Sequence, residues 1–456
     1  MPDADQNPSA VSSGGDREHI FAQTPESLSR WCETNRVPGY RAKQILDWVY
    51  AKGVIDPGQM SNLSASDRER LADGFTFLSG RTVRHQVASD GTQKLLIQWE
   101  PGRRGGAEAG GGEGVRLPVL GAGVGGGEGD DPSRQTECVL IPTEARQTAC
   151  ISSQIGCPVG CTFCASGLGG LEGNLSAGRI VEQVWRLRSL IPRPAGGAGK
   201  PGALPRISNV VFMGMGEPLA NFSNVTSAIR TLASPWGMGI SARKITISTV
   251  GLPAAIDRLA AQFELPVTLA LSLHAPTDEI RRRLIPWAQY STIEELLRSC
   301  QRWFEKTGRE ITLEYTLLRG VNDRPSHARA LAEIASTVRA NINLIRYNEV
   351  EGMPFGRPAD EDVRAFQAVL KERGINAHIR ASRGRDISAA CGQLRHETGP
   401  KAPPHPPHLS HPSPHPSPRS PRQAPHHDSS PTGTAAVPPP PPPGPLASAE
   451  AGGEEP

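Results

Sequence analysis

Three stretches decide the fold of this chain: ISNVVFMGMGEPL at residues 207–219, KITISTVG at 244–251 and VTLALSLH at 267–274. Each opens on a short run of β-branched and apolar residues, the composition of a strand, and closes on small and polar residues. Similar runs recur at Ile311–Leu317, Ile342–Arg346 and Ala377–Arg380, and helical patterns fit between them. Ile293, Leu296, Leu297, Cys300, Trp303 and Phe304, for example, recur at the i, i+3, i+4 spacing of an amphipathic helix. Such regular alternation predicts right-handed βαβ units and a parallel sheet, either doubly wound or curled into a barrel. No glycine-rich dinucleotide or P-loop fingerprint follows any of the strands.

Outward from this body the composition changes. Upstream, Ile45, Leu46 and Val49 give a helical apolar face after the turn at Pro38-Gly39, and a second short helix is expected from Ser66 towards Phe75. A hairpin follows, Val83 to Val87 and Leu95 to Trp99 joined through Asp90-Gly91. Residues 19–100 are therefore expected to form a small accessory domain, with 1–18 disordered. Residues 101–134 are dominated by glycine and read as a flexible insertion. The tail, 396–456, holds seven of the twelve histidines and an unbroken proline run from Pro438 to Pro443. It cannot bury enough apolar surface to fold, and its irregular histidine spacing favours solvated low-complexity sequence over a metal site.

The 456 residues carry a formal net charge of +3, too balanced to demand or exclude a nucleic-acid partner. Asp3, Asp5, Asp16 and Glu18 stand at the N-terminus without an apolar run, unlike a secretory or transit signal. No stretch approaches the ~18 continuous apolar residues of a membrane span. A cytoplasmic protein without a membrane partner is expected, and in that compartment eight cysteines point to ligands or catalysts rather than a disulfide framework.

Cys157-Pro-Val-Gly-Cys161-Thr-Phe-Cys164 puts three thiolates on one short loop, suited to three corners of an iron–sulfur cubane with the fourth iron left open. A structural zinc site would want four ligands, usually as two pairs, and no second pair stands nearby. Buried free thiols, or a zinc knuckle borrowing Cys150, are the alternatives. The polar residues that close the strands, Gly214-Met215-Gly216-Glu217-Pro218, Ser248 with Thr249-Val250-Gly251, His274, and Tyr347-Asn348, sit where a (β/α) barrel places its functional groups. Singly, each has an ordinary structural explanation; their shared place at successive strand ends suggests a cofactor pocket.

The cysteine spacing resembles the signature of radical S-adenosylmethionine (SAM) enzymes, in which the cosubstrate occupies the open iron. The resemblance implies an α/β fold, a partial (β/α) barrel with a small N-terminal accessory domain and a disordered C-terminal tail, the catalytic domain spanning 135–395. The stretch Ala149-Cys150-Ile-Ser-Ser-Gln-Ile-Gly-Cys157, the segment Met213-Gly-Met-Gly-Glu-Pro-Leu219, the triplet Ser272-Leu273-His274 and Gly384-Arg-Asp-Ile-Ser-Ala-Ala-Cys391-Gly-Gln-Leu394 are similar, more narrowly, to the RlmN family. Those enzymes methylate adenine C2 in 23S rRNA and in tRNA.

The resemblance implies a [4Fe-4S] cluster on Cys157, Cys161 and Cys164 and SAM contacts at Gly216, Glu217, Ser248, Ser272, Leu273, His274 and Asn348. It makes Cys391 the methyl-carrying nucleophile, Cys150 the thiol that resolves the enzyme–RNA crosslink by disulfide exchange, and Glu137 the proton acceptor. It further implies an RNA-engaging role for the accessory domain, a flavodoxin- or ferredoxin-type electron donor and a monomer. Arg281-Arg282-Arg283 and the group Arg380, Arg383, Arg385 are candidates for phosphate contacts. Cys32, Cys138 and Cys300 read as packing residues. Two rivals stay open: a Cfr-type enzyme, which methylates adenine C8, and a non-catalytic iron–sulfur carrier or zinc module.

Overall fold

The computed structural model describes residues 17–101, 131–192 and 205–394. The expected N-terminal disorder up to residue 16, nearly all of the glycine insertion and the tail lie outside them. Glu18 is already ordered: β1 (Glu18–His19) pairs in parallel with β2 (Phe75–Thr76) across the helices α1 (Pro25–Thr34), α2 (Arg41–Leu46) and α3 (Ala65–Gly74). Thr24 and Ser27 cap α1 reciprocally, and Pro25 starts it where its missing N–H is harmless. Leu28, Cys32, Ile45, Leu46, Val49 and Leu71 bury their side chains between these helices.

The hairpin forms as expected, β3 (Gly80–Val87) and β4 (Gln93–Trp99), but not as part of a separate domain. Strand β4 also pairs with β5 (Gln135–Pro142), and β5 with β6 (Gln147–Cys150), all antiparallel. The hairpin thus extends the main sheet, and β4 is buried on both faces, which leaves it no role as a free ribbon. Local pattern could not show this, because Gln93–Trp99 and β5 are separated by the glycine-rich insertion.

A short antiparallel pair, β7 (Gln154–Gly156) and β8 (Leu171–Asn174), brackets the cysteine loop, and α4 (Ala177–Ser189) follows. Then come β9 (Asn209–Phe212), α5 (Phe222–Ala233), β10 (Ile245–Thr249), α6 (Pro253–Gln262), β11 (Thr268–Ser272), α7 (Asp278–Leu284), α8 (Ile293–Thr307), β12 (Ile311–Leu317), α9 (Pro325–Ser336), β13 (Ala340–Arg346), α10 (Asp360–Glu372) and β14 (Ala377–Arg380). All six strands read from the three opening stretches and their later counterparts are present, within two residues of the expected ends.

The order across the sheet is β14-β13-β12-β11-β10-β9-β6-β5-β4-β3, parallel from β14 to β6. Strands β14 and β6 stand six places apart, which would be about 29 Å in a flat sheet. Arg380 of β14 and Thr148 of β6 nevertheless line one cavity, so the sheet curls into the expected partial barrel. It does not close between β14 and β3.

Alternation along each strand divides the two faces. Ile245 and Ile247, Leu269 and Leu271, and Leu313, Tyr315 and Leu317 enter the main core under the helices. Ser248, Ser272, Glu314 and Thr316 face the barrel interior instead. The helices fit the same logic: α8 buries Leu296, Leu297, Cys300 and Trp303 and ends on Gly308 at φ 65°. Cys32, Cys138 and Cys300 are buried in the core, as expected of packing residues.

Candidate active site

The cysteine loop runs between β7 and β8. Cys157 N–H donates to Gly170 O at 2.8 Å, Thr162 N–H to Leu284 O at 2.9 Å, and Ala165 N–H to Gly392 O at 2.8 Å. The last bond ties the loop carrying Cys157, Cys161 and Cys164 directly to the turn carrying Cys391. Those four cysteines line one cavity of about 150 Å³ with Gly216, Glu217, Ser248, Ser272 and His274. Nine residues proposed from the sequence are thereby brought together from distant segments of the chain.

Burial pushes the Cys157 thiol up to about 12 and raises Cys161 and Cys164 as well. Three half-buried thiols crowded together ionise only against a strongly cationic partner, the situation a metal centre creates. Among the described residues no three His, Cys, Asp or Glu side chains converge on a single ion. A cubane does not ask for that, since each thiolate takes a different iron. The donor set therefore fits an iron–sulfur cluster rather than one zinc ion.

Glu217 sits at the C-terminal end of β9. The preceding Gly216 has φ 102°, and a Cβ there would stand 2.7 Å from Ser153 Oγ, so only glycine fits. The Glu217 carboxylate accepts from Leu219 N–H at 3.0 Å and Val250 N–H at 2.8 Å. Burial nonetheless pushes it up to about 7, which leaves it poised to ionise fully against an ammonium. Ser248 Oγ and Ser272 Oγ lie 3.2 Å apart on neighbouring strands, both able to meet ribose hydroxyls.

His274 holds a left-handed backbone, φ 57°, a strain that a non-glycine residue keeps only where its surroundings over-determine it. Its Nδ1 accepts from Thr316 N–H at 3.0 Å, so Nε2 carries the proton. Burial, with the charge of Arg281, pushes its pKa down to about 3. It is a neutral donor at any working pH.

Four expected site residues fall elsewhere. Cys150 and Asn348 line a second cavity, about 470 Å³, which shares Met213, Ile345, Arg380 and Cys391 with the first. Asn348 is held from both sides: Arg357 Nη1 donates to its Oδ1 at 3.0 Å, and its Nδ2 donates to Cys391 O at 3.3 Å. Leu273 points its side chain into the main core, as strand alternation with Leu269 and Leu271 requires. Only its backbone remains for a ligand.

Glu137 lines neither cavity. Its Oε1 pairs with Lys94 Nζ at 2.7 Å, both side chains buried, and Lys94 also donates to Ser388 O at 3.3 Å. Lys94 thus links the Glu137 carboxylate to the backbone of the turn that carries Cys391. The hairpin grips the same turn elsewhere: Asp386 accepts from Ser89 N–H at 2.8 Å, and Asp90 from Gly384 N–H at 3.0 Å.

Three polar residues emerge that the sequence pattern concealed or misassigned. Glu314, on the interior face of β12, accepts from Asn343 at 3.0 Å with Oε1, while Oε2 is buried without a hydrogen-bond partner among the described residues and stands 4.0 Å from Arg380 Nη1. Arg380 lines both cavities, and Cys391, then Glu314 and Cys150, hold its guanidinium above the ordinary arginine value. Its guanidinium thus stands beside both thiols and the Glu314 carboxylate. Arg281 is buried as well, against the expectation of a solvent-facing phosphate ligand; Arg282 and Arg283 remain exposed.

With this geometry in view, comparison with known proteins is decisive. Residues 151–331 match the Radical SAM superfamily, and residues 20–76 match the Ribosomal RNA large subunit methyltransferase N-terminal domain. A Rhodopirellula baltica protein named "Probable dual-specificity RNA methyltransferase RlmN" is 38% identical over 388 residues, covering 85% of this chain and 93% of its own. The chain belongs to the RlmN family. A second RlmN relative, from Gloeobacter violaceus, is 39% identical over 376 residues, 82% of this chain and 94% of the relative. The crystal structure of a radical SAM methyltransferase from Sphaerobacter thermophilus superposes with a TM-score of 0.72 at 37% identity, covering 83% of this chain and all of the other. RlmN membership answers both rivals: the relatives carry the RlmN name rather than the Cfr one, and an electron carrier would not share a whole methyltransferase. Among the described residues no helix is long and apolar enough to cross a membrane.

Proposed function

We propose that this RlmN-family chain methylates C2 of adenosine in 23S rRNA and in tRNA, with Cys157, Cys161 and Cys164 holding the cluster and Cys391 carrying the methyl group. When bound, the [4Fe-4S] cluster and SAM supply one-electron cleavage of a carbon–sulfur bond, and so a radical able to abstract hydrogen. The chain's own residues do the rest. Glu217 receives the ammonium of SAM, Ser248 and Ser272 its ribose, and His274 donates through Nε2. The observation that carries the reading is the position of Cys391, on a turn hydrogen-bonded to the cysteine loop and lining both cavities.

In the second cavity Cys391 meets Cys150, and both thiols are free. Burial, then the neighbouring Cys391, pushes Cys150 up to about 12, so it waits as a neutral thiol. Release of product forms an Sγ–Sγ bond between Cys150 and Cys391 and breaks the bond from Cys391 Sγ to the transferred carbon; the electron pair leaves on that carbon, which becomes the methyl group by taking up a proton equivalent to the one Cys150 gives up. Arg380 offsets the negative charge as Cys150 loses its proton. Glu137 takes the C2 proton. Residues 20–76 engage the RNA, electrons come from a flavodoxin- or ferredoxin-type donor, and the protein acts in the cytoplasm as a monomer.

Nucleoside analysis of RNA after reaction tests the proposal. 2-Methyladenosine is expected, together with a methyl group on Cys391 in protein made with cluster and cosubstrate. 8-Methyladenosine, or an unmodified Cys391, refutes it.

A further inference from the structure

Helix α7 starts from Thr277, whose hydroxyl accepts from Ile280 N–H, and it packs Ile280 and Leu284 onto Val159 and Phe163 of the cysteine loop. Its Leu284 carbonyl also receives Thr162 N–H and Oγ1. Arg281 lies on this inward face, three and four residues before Leu284 and Ile285, and is 1% exposed. Nη2 donates to Val250 O, the carbonyl of the residue whose N–H holds Glu217. Nε and Nη1 are buried and have no hydrogen-bond partner among the described residues.

A buried guanidinium with two unanswered nitrogens is costly unless an anion stands against it. The acidic groups that face it are the Cys161 thiol, which burial keeps protonated, and Asp278 at the start of its own helix; His274, also facing it, is neutral. Asp278 already accepts from Ile293 N–H at 2.8 Å. A guanidinium does not lose its proton in a protein near neutral pH, so Arg281 keeps its charge. The wall of the cysteine loop therefore holds a permanent cation whose remaining N–H groups no described residue satisfies. Three thiolates on an iron–sulfur centre would satisfy them, since sulfur there carries net negative charge that grows on reduction.

We propose that Arg281 is the fixed counter-charge of the cluster bound by Cys157, Cys161 and Cys164, hydrogen-bonding to its sulfurs and raising its reduction potential. The inference rests on the cluster assignment above. A cation beside a centre that gains an electron stabilises the reduced form most, and hydrogen bonds to cluster sulfur act in the same direction. Through Val250 the same guanidinium braces the peptide that positions Glu217, so one side chain serves both halves of the site.

The test is anaerobic reconstitution of wild type, Arg281→Gln and Arg281→Lys, with iron and sulfide content measured alongside a redox titration followed by electron paramagnetic resonance. At the potential where half the wild-type clusters are reduced, the reduced-to-oxidised ratio in R281Q should fall roughly tenfold, the effect of one charge at close range. R281K should hold a full cluster near the wild-type potential; R281Q failing to hold one while R281K does would likewise show that the charge is required. An unshifted R281Q, an R281K that falls as far as R281Q, or an R281K unable to hold a cluster overturns the inference. Wild type without a cubane would instead refute the cluster assignment itself.

Discussion

Glu182 on α4 provides the sharpest test of how the fold holds its pieces together. Its carboxylate is fully buried and accepts from His19 Nε2 at 2.9 Å, Ser79 N at 2.8 Å, Ser79 Oγ at 3.0 Å, Gly80 N at 3.3 Å and Arg186 Nε at 2.8 Å. One side chain thus joins the first strand, the start of the hairpin and the first barrel helix. Summing these bonds at ~1.5–3 kcal/mol each overshoots, because the ion also gives up its hydration. Removing one member of such a buried network costs about 3–5 kcal/mol, and at roughly 2 °C per kcal/mol for a chain this long Glu182→Ala should lower Tm by roughly 6–10 °C.

Glu182→Gln should cost nearly as much, since an amide offers one acceptor oxygen and turns a donor towards Ser79 N–H. The pH dependence has a definite sign. Burial pushes the Glu182 carboxyl up, but the bonds and charges from His19, Arg186 and Ser79 outweigh it and hold it below the ordinary range. A folded value below the unfolded one means the stabilisation is complete above the unfolded pKa of ~4.3 and is lost as pH falls through the folded value. Wild type and E182Q should therefore differ most near neutrality and converge in acid. Calorimetry or circular dichroism melts between pH 3 and 7 would show it; an E182A melt within about 2 °C of wild type at pH 7, less than the loss of one buried partner predicts, would falsify the network's role.

Cys150→Ala should leave methylation of Cys391 intact while trapping RNA on it; freely dissociating product at the normal rate, seen on a denaturing gel, removes Cys150 from the mechanism. Glu217→Gln should keep the cluster yet weaken SAM binding by about 10- to 100-fold, the worth of one charge-assisted bond in a buried site; calorimetric titration giving wild-type affinity would assign the ammonium to another group. Asp386→Ala should free the turn before Cys391 from the hairpin and speed amide hydrogen exchange across 384–391 with the helices unaffected; unchanged protection there would show that Ser89 N–H does not hold the turn.

Much of the site was legible because strand periodicity carries it. In ITLEYTL at 311–317, the odd positions are apolar and the even ones polar, and the structure sends Leu313 and Tyr315 to the core and Glu314 and Thr316 to the cavity. The same alternation, applied to VTLALSLH, places Leu273 with Leu269 and Leu271, so the motif's middle residue could have been set aside from sequence. Arg281 had a signal too, its i+3 and i+4 apolar partners Leu284 and Ile285. Reading the arginine triplet as a surface patch overlooked it.

What periodicity does not encode is which distant segment covers which. Lys94 meets Glu137 across neighbouring strands, and Asp90 meets Gly384 across most of the chain. No local pattern names either partner, since both follow from how the sheet curls and where its edge strand lands.

That curl gives the hairpin a meaning beyond its place at the sheet edge. The turn carrying Cys391 is fastened on one side to the cysteine loop through Gly392 and on the other to the hairpin through Ser388, Asp386 and Gly384. Ser388 itself sits at φ 50°, a strained position for a residue with a side chain. On the function proposed above, the sulfur of Cys391 addresses two partners in turn, the cofactor cavity and then a base in the larger one. A turn held from both sides, at the boundary of those two cavities, sets Cys391 on the wall of each without choosing between them.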